Sequence, residues 1–271
     1  MVIGAWADLA TTDFAAADPA RAVAILPVAA TEQHGPHLPL GTDAAINRGV
    51  LAAALARLDP ARWVAVLPAQ EVGESLEHAG FAGTLSLSAE TVLALWGEIG
   101  AAVARAGIRK LILFNSHGGQ TGLVDTAAVR LRQHCGLVTV RASTFGLGLP
   151  DGLVDPAEAE HGLHGGLVET SVMLALSPHL VRRDAAADFR STAVELAEAC
   201  ETLRAECAIG LGWAAQDLNL AGVTGDAAAA TAELGQRILA HWAGRLAALI
   251  EDVIALPLSV LQAGPLGVPP Q

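Results

Sequence analysis

The run "RKLILFN" (109–115) is apolar on both faces. No other stretch constrains the fold as tightly. A strand that alternates apolar and polar residues can leave one face in water, whereas an unbroken apolar strand must be covered on both. "AVAILPVAA" (22–30), "WVAVLPAQEVG" (63–73) and "LVTVRAST" (137–144) are further strand runs. Ala/Leu-rich stretches of helical period lie between them: "INRGVLAAALARL" (46–58), "SAETVLALWGEIGAAVARAG" (88–107) and "TGLVDTAAVRLRQHCG" (121–136). The second opens on Ser88 as N-cap, carries Glu90 in its first turn and closes at Gly107. Helices are also expected over 167–178, stopped by Pro178, over 190–209, with Cys200 and Cys207 on one buried face, and over 226–254, after Gly225 and Asp226. This alternation predicts a doubly wound α/β domain with a mostly parallel sheet. No repeat or linker interrupts it, so one domain is expected over 1–271, with the tail "PLGVPPQ" loosely ordered.

Charge and cysteine usage narrow the function classes. A formal net charge of −12 with no basic run argues against nucleic acid and against an anionic membrane surface. Three cysteines without a CxxC fit a reducing compartment. The start has no basic n-region, and no apolar run reaches the ~18 residues of a membrane span. The expectation is a soluble, cytoplasmic protein. Hydrophobic residues make up 52% against 16% charged, a surplus that sister subunits could cover, so a homo-oligomer is expected.

In open α/β sheets, sites form at the carboxyl ends of the strands. After 22–30 comes "TEQHGPHLPLGTD", with Glu32, His34, His37 and Asp43. Glu32 and His34 are two apart and share a side of an extended backbone. After 109–115 comes "NSHGGQTG", with His117. "EHGLHGGLVET" brings His161, His164 and Glu169 ahead of a buried helix. Any one of these has a bland reading, a solvated loop carboxylate or a hydrogen-bonded structural histidine. Together they place five of the nine histidines at strand–loop or loop–helix junctions. Imidazole and carboxylate are the ligands of zinc, manganese and related hydrolytic metals. Glu169 is the sharpest case. Its apolar surroundings imply burial, and no Lys or Arg lies within twelve residues to pair with it. Nucleophile elbows and Walker-type phosphate loops are absent from the sequence.

"EQHGPHLPLGTD", "NSHGG" and "HGGLVETSVMLAL", in that order, resemble the creatininase (creatinine amidohydrolase) family. The likeness runs from about residue 20 to 180 and continues weakly through 217–235. The resemblance implies a three-layer α/β/α sandwich around a mostly parallel sheet. It also implies two divalent metal ions per chain, zinc and/or manganese, and hydrolysis of a C–N bond in a small-molecule cyclic or linear amide. By motif, Glu32 and His117 would ligate one ion, His34 and Glu169 the other, and Asp43 would bridge them. His164 matches the catalytic histidine. His78, Thr84, Gly118, Gly119, Phe145 and His161 would approach the substrate. A hexamer is the assembly implied. Creatininase itself has a Tyr and a Glu directly after the His of the second motif, and that Glu assists at the metal site. Gly118 and Gly119 stand there in this chain, so one acidic ligand is missing. The aromatic residues that precede the third motif in creatininase are replaced by "PAEAEHGLHGG". The metal core is therefore expected, while the substrate stays open among creatinine, another cyclic amide, a formamide and a short peptide. The alternatives are a metal-binding oligomer without catalysis and a nucleotide-binding module using "HGGQTG".

Overall fold

The computed structural model describes residues 2–263, so the tail expected to be loosely ordered lies outside the described residues. In chain order the elements are β1 (Val2–Ala5), β2 (Val23–Val28), α1 (Thr42–Leu55), β3 (Trp63–Val66), α2 (Ala89–Arg105), β4 (Lys110–Asn115), α3 (Thr121–Cys135) and β5 (Val138–Ser143). They continue as α4 (Pro156–His161), α5 (Leu167–Leu176), β6 (Asp188–Phe189), α6 (Ala193–Ala199), α7 (Ala215–Leu218), β7 (Gly225–Asp226) and α8 (Ala232–Ala255). The main sheet has five strands in the order β1-β3-β2-β4-β5, all parallel.

Two cores sandwich this sheet, and the alternation of β2 and β4 supplies both. Val23, Ile25, Ile112 and Phe114 face α1, α5 and α8, where they meet Val50, Met173, Trp242 and Leu246. Ala24, Leu26, Leu111 and Leu113 face α2 and α3, against Trp96, Val103, Val124 and Leu131. Every residue of β2 and β4 is buried, as their unbroken apolar runs require. Each Leu, Ile or Phe so buried contributes on the order of 1.5–3 kcal/mol. The result is the three-layer α/β/α architecture with helices on both faces.

Several expected boundaries move. The strand read over 63–73 stops at Val66, because Pro68 has no N–H for a ladder bond. The helix read over 190–209 ends at Ala199. Ala193 and Ala205 pack in one small cluster with Leu218. In a continuous helix those two alanines would lie about 18 Å apart, so the chain must fold back. Cys200 is consequently half-exposed and Cys207 exposed, not paired on a buried face. The helix read from residue 226 starts at Ala232, capped by the Thr231 hydroxyl, which accepts from Leu234 N at 3.1 Å. Gly225 and Asp226 instead pair with β6. β1 pairs along β3 at a sheet edge, and nothing in the sequence reading anticipated it.

This winding fixes where a site can form. β2 and β4 are neighbours, yet the helices that follow them, α1 and α3, pack on opposite faces. A crevice therefore opens between their carboxyl ends. Asn47 of α1 is buried there. Its amide donates toward Val28 O (3.3 Å), Phe114 O (3.0 Å) and Ser116 Oγ (3.2 Å). Ser116 in turn donates to Asp43 O at 3.0 Å. Asn47 thus ties the first turns of α1 to both strand ends. Replacing it by Ala removes these buried bonds, and Asn47→Ala is expected to lower unfolding stability by roughly 1–3 kcal/mol in urea titration. A change below ~0.5 kcal/mol would mean the tie carries no strain-bearing role.

Candidate metal centre

Each segment after a strand is shaped by local bonds that aim its polar side chains inward. Beyond β2, Glu32 N donates to Leu40 O at 3.0 Å, which closes the "GPHLPL" loop. α1 begins just after it, at Thr42, so Asp43 falls in the first helical turn, beside Glu32 and His34. Beyond β4, the Asn115 side chain accepts from His117 N (3.0 Å) and donates to His117 O (2.6 Å), holding the backbone of that histidine at both ends. Ahead of α5, Gly165 takes a φ of +67°, a left-handed conformation suited to glycine. Its N–H donates to Glu169 Oε2 at 2.6 Å, which aims that carboxylate into the crevice. The segment 217–226 braces the last histidine: Thr224 N donates to His164 O at 2.8 Å.

The histidines are orientated by their rear nitrogens. His34 Nδ1 lies 3.1 Å from Glu32 O, His117 Nε2 lies 2.9 Å from Glu74 O, and His164 Nε2 lies 2.7 Å from Gln33 O. A backbone carbonyl only accepts, so each of these nitrogens carries the proton and donates it. The opposite nitrogen then presents a lone pair. His34 Nε2 faces Asp43 Oδ1 at 3.2 Å and Glu169 Oε2 at 3.9 Å. His117 Nδ1 faces Glu32 Oε1 at 3.2 Å and Asp43 Oδ2 at 3.5 Å. Lone pairs facing carboxylates at this range repel unless a proton or a cation lies between them. Glu32 Oε1, His34 Nε2 and Asp43 Oδ2 are buried and have no hydrogen-bond partner. Glu32 is anchored through its other oxygen by the Ser75 hydroxyl. Three ligand groups with atoms within 4.8 Å of one another emerge: Glu32, His34 and His164; Glu32, Glu77 and His117; His34, Asp43 and Glu169. This donor set fits divalent metal.

Protonation equilibria report the same field. Burial alone would lower the pKa of His34, but Asp43, Glu169 and Glu32 outweigh it and raise it to about 9. Burial is likewise outweighed at His117 by Glu32, Asp43 and Glu77, which raise it to about 10. His164 and His78 go the other way. Burial and neighbouring imidazoles lower His164 to about 4, and burial together with His164 lowers His78 to about 2. His78 stacks on His164 with ring centroids 4.1 Å apart and takes a hydrogen bond from Gln33 Nε2 at Nδ1 (2.7 Å).

The cluster floors a cavity of about 720 Å³, whose walls include His78, Gly118, Gly119, Phe145 and His164. Thr84 and His161, expected to approach the substrate, do not line it. The Thr84 hydroxyl accepts from Gln33 N at 3.1 Å, and His161 ends α4, although its neighbours Ala159 and Gly162 do line the cavity. Glu169 is less enclosed than its apolar surroundings implied, being half-buried at the cavity wall. His37 is structural: Nε2 bonds to Gly165 O and Thr170 Oγ1, and its ring stacks on Phe189. The sequence reading missed Glu77, Trp213 and Trp242, all of which line the cavity. Glu77 had a signal, its place directly before His78.

A doubly wound sheet with a buried histidine–carboxylate cluster at its switch point defines a hydrolase scaffold of the metal-assisted class. Among families of that class, the model described as "Creatininase: Creatinine amidohydrolase" matches residues 7–250. The chain belongs to the creatininase family, whose members hydrolyse C–N bonds. It is 35% identical over 222 residues to the mycofactocin precursor peptide peptidase of Mycobacterium ulcerans (strain Agy99), covering 80% of each chain. It is 31% identical over 182 residues to the creatinine amidohydrolase of Pseudomonas putida, covering 61% of this chain and 68% of that one. A solved mutant creatininase described as Zn-Zn type superposes with a TM-score of 0.71 at 26% identity, covering 91% of this chain and 96% of that one.

The raised values at His34 and His117 carry a sign. Both lie above the ordinary 6.5, so their stabilising contribution is complete below about pH 6.5 and lost as pH rises through 9 to 10. The urea midpoint of chelator-stripped protein is expected to fall between pH 7 and 10, and that of zinc-loaded protein to hold. Zinc uptake at pH 7.5 should also release protons, read by calorimetry in buffers of different ionisation enthalpy. Uptake with no proton release would contradict the raised values at His34 and His117.

Proposed function

We propose that this protein is a dinuclear metal-dependent amidohydrolase that cleaves a peptide-type C–N bond in a short peptide. The observation that carries the reading is Asp43. Its two oxygens face two different histidine lone pairs, His34 Nε2 on one side and His117 Nδ1 on the other. That arrangement suits a carboxylate shared by two ions. Glu32 and His117 hold one ion, His34 and Glu169 the other, and Asp43 spans them. Zinc is the metal named for the Zn-Zn creatininase, and manganese is the other candidate. When bound, such ions polarise an amide carbonyl and make a water acidic enough to attack near neutral pH.

The chain's own residues supply the remaining chemistry. His164 is held by Nε2–H on Gln33 O, which leaves Nδ1 as the basic nitrogen, 3.7 Å from Glu32 Oε1. Burial keeps the ring neutral, so Nδ1 can take up a proton and pass it to the leaving nitrogen. His78 stacks behind it and limits its rotation. The buried floor and the apolar walls keep bulk water from the leaving group.

Cavity size and relatives favour a peptide over creatinine. A volume of about 720 Å³ is in the range of sites for drug-sized ligands, far beyond one small ring. The peptide peptidase of M. ulcerans matches more of the chain, at higher identity, than the creatinine amidohydrolase of P. putida. Gly118 leaves the floor open where creatininase carries a Tyr. We also infer a homo-oligomer, the hexamer that the family resemblance implies. Exposed Leu76, Leu85 and Leu220 are the kind of surface that sister subunits cover.

His164→Asn is expected to leave bound zinc unchanged and to lower kcat by roughly 10²–10⁴-fold. Asp43→Asn should lose both metal and activity. Metal-loaded protein should release fragments from short peptides, measured by mass spectrometry, at higher kcat/KM than it opens creatinine. Faster turnover of creatinine than of every peptide in such a panel would reject the substrate assignment.

A further inference from the structure

Gly119 is a glycine for space, not for backbone conformation, since it is absent from the positive-φ glycines. A Cβ built on it would lie 1.6 Å from Glu77 Oε1, 2.6 Å from Glu77 Cδ and 2.8 Å from His117 Nε2. The carboxylate of Glu77 therefore occupies the volume in which any side chain at 119 would begin. Glu77 lies in the short turn Leu76–His78 and lines the cavity against the "HGG" segment.

Its surroundings point to a cation. Glu77 is 14% exposed. The nearest groups that could pair with it are two imidazoles, His117 Nε2 at 3.4 Å and His78 Nε2 at 4.0 Å, with no Lys or Arg in ion-pair reach among the described residues. Glu32 Oε1, also buried, approaches the same imidazole at its other nitrogen, 3.2 Å from His117 Nδ1. Glu32, Glu77 and His117 each offer a ligand atom within 4.8 Å of the other two.

We propose that Glu77 is a ligand of the ion held by Glu32 and His117, and that it supplies from residue 77 the carboxylate that the chain lacks at residue 119. The two positions form one unit: a glycine at 119 admits the carboxylate of 77, and a side chain at 119 would expel it. The inference rests on the two-ion reading above, and the test separates the two. Zinc per chain is measured by mass spectrometry after dialysis, and zinc affinity by competition with a chromophoric chelator. Wild-type protein should bind about two ions; fewer than one would overturn the two-ion reading itself. Glu77→Gln should weaken one of the two sites by more than the roughly 10–100-fold that loss of an outer orientating partner costs. Gly119→Ala should weaken the same site, because its methyl group displaces the Glu77 carboxylate. The exchange Glu77→Ala with Gly119→Glu should restore binding. Thermal melting of each stripped variant shows that it folds. Wild-type affinity in Glu77→Gln, or an exchange variant that melts as the wild type does and still binds one ion weakly, would overturn the proposal while leaving the two-ion reading intact.

Discussion

A histidine whose one N–H is committed to a backbone carbonyl can face a buried carboxylate at close range only with a proton or a metal cation between them. That condition holds at His34 and at His117, and the rest of the site is arranged around it. The rear carbonyls belong to Glu32 and Glu74, so the backbone that carries one carboxylate also sets the tautomer of a histidine. Nδ1 of His117 and Nε2 of His34 converge on the two oxygens of Asp43. Neutral side chains would not need such convergence, and unpaired charged ones buried this deeply would destabilise the fold by several kcal/mol. The donor set therefore suits a divalent cation, with protons on His34 and His117 answering the same field in its absence.

The sheet meets this demand by its winding. β2 and β4 are adjacent, but their following helices diverge to opposite faces, so the backbone beyond each strand is free to curl over the crevice. Glu32 and His34 come from one curl and His117 from the other. Asp43 rides on α1, which Asn47 pins to both strand ends. Glu169 and His164 arrive from α5 and the segment before it, on the α1/α8 side of the sheet. Four separate stretches meet at a place where the fold already leaves room, each held by hydrogen bonds to its own or a neighbouring segment.

Much of this was legible in the sequence, for definite reasons. Central strands of a parallel sheet are apolar at every position, so β2 and β4 stand out; β1 has four edge residues and does not. α2 announces itself by the Ser88 cap, whose side chain accepts from Thr91 N. The ligand candidates were visible because each follows a strand or opens a helix within a few residues. What stayed hidden depends on distant partners. Lys110 reads as the edge of an apolar strand, yet it is fully buried, with Nζ donating to Val253 O and Ile254 O at the end of α8. The break after Ala199 follows from Ala205 packing back on Ala193, a contact that periodicity cannot express. Thr84 sits in the expected segment but spends its hydroxyl on Gln33 N. Glu77 is conspicuous only once Gly119 is placed beside it in space.

Metal-facing groups and cavity walls come from different kinds of structure, and this separates the chemistry from the choice of substrate. The ligand candidates sit at strand ends and in the first turns of helices, where a displacement of 1 Å would disturb sheet and core together. The outer wall includes Phe145, Leu149, Glu158, Gly162, Glu206 and Trp213, which lie in the short helix α4 and in turns and connecting segments with few buried residues. Substitutions there can reshape the volume at little cost to the fold. Trp213 reaches the cavity from the loop that replaced an expected helix, and it supplies an aromatic surface where the sequence ahead of the third motif has none. A ring as small as creatinine would touch only part of such a wall. Binding energy available for orientating an amide over the ions scales with the surface that the substrate engages, so a longer chain of amide units draws more of it. The same core can thus serve a small cyclic amide in one relative and a peptide in another, with the discrimination residing in the wall.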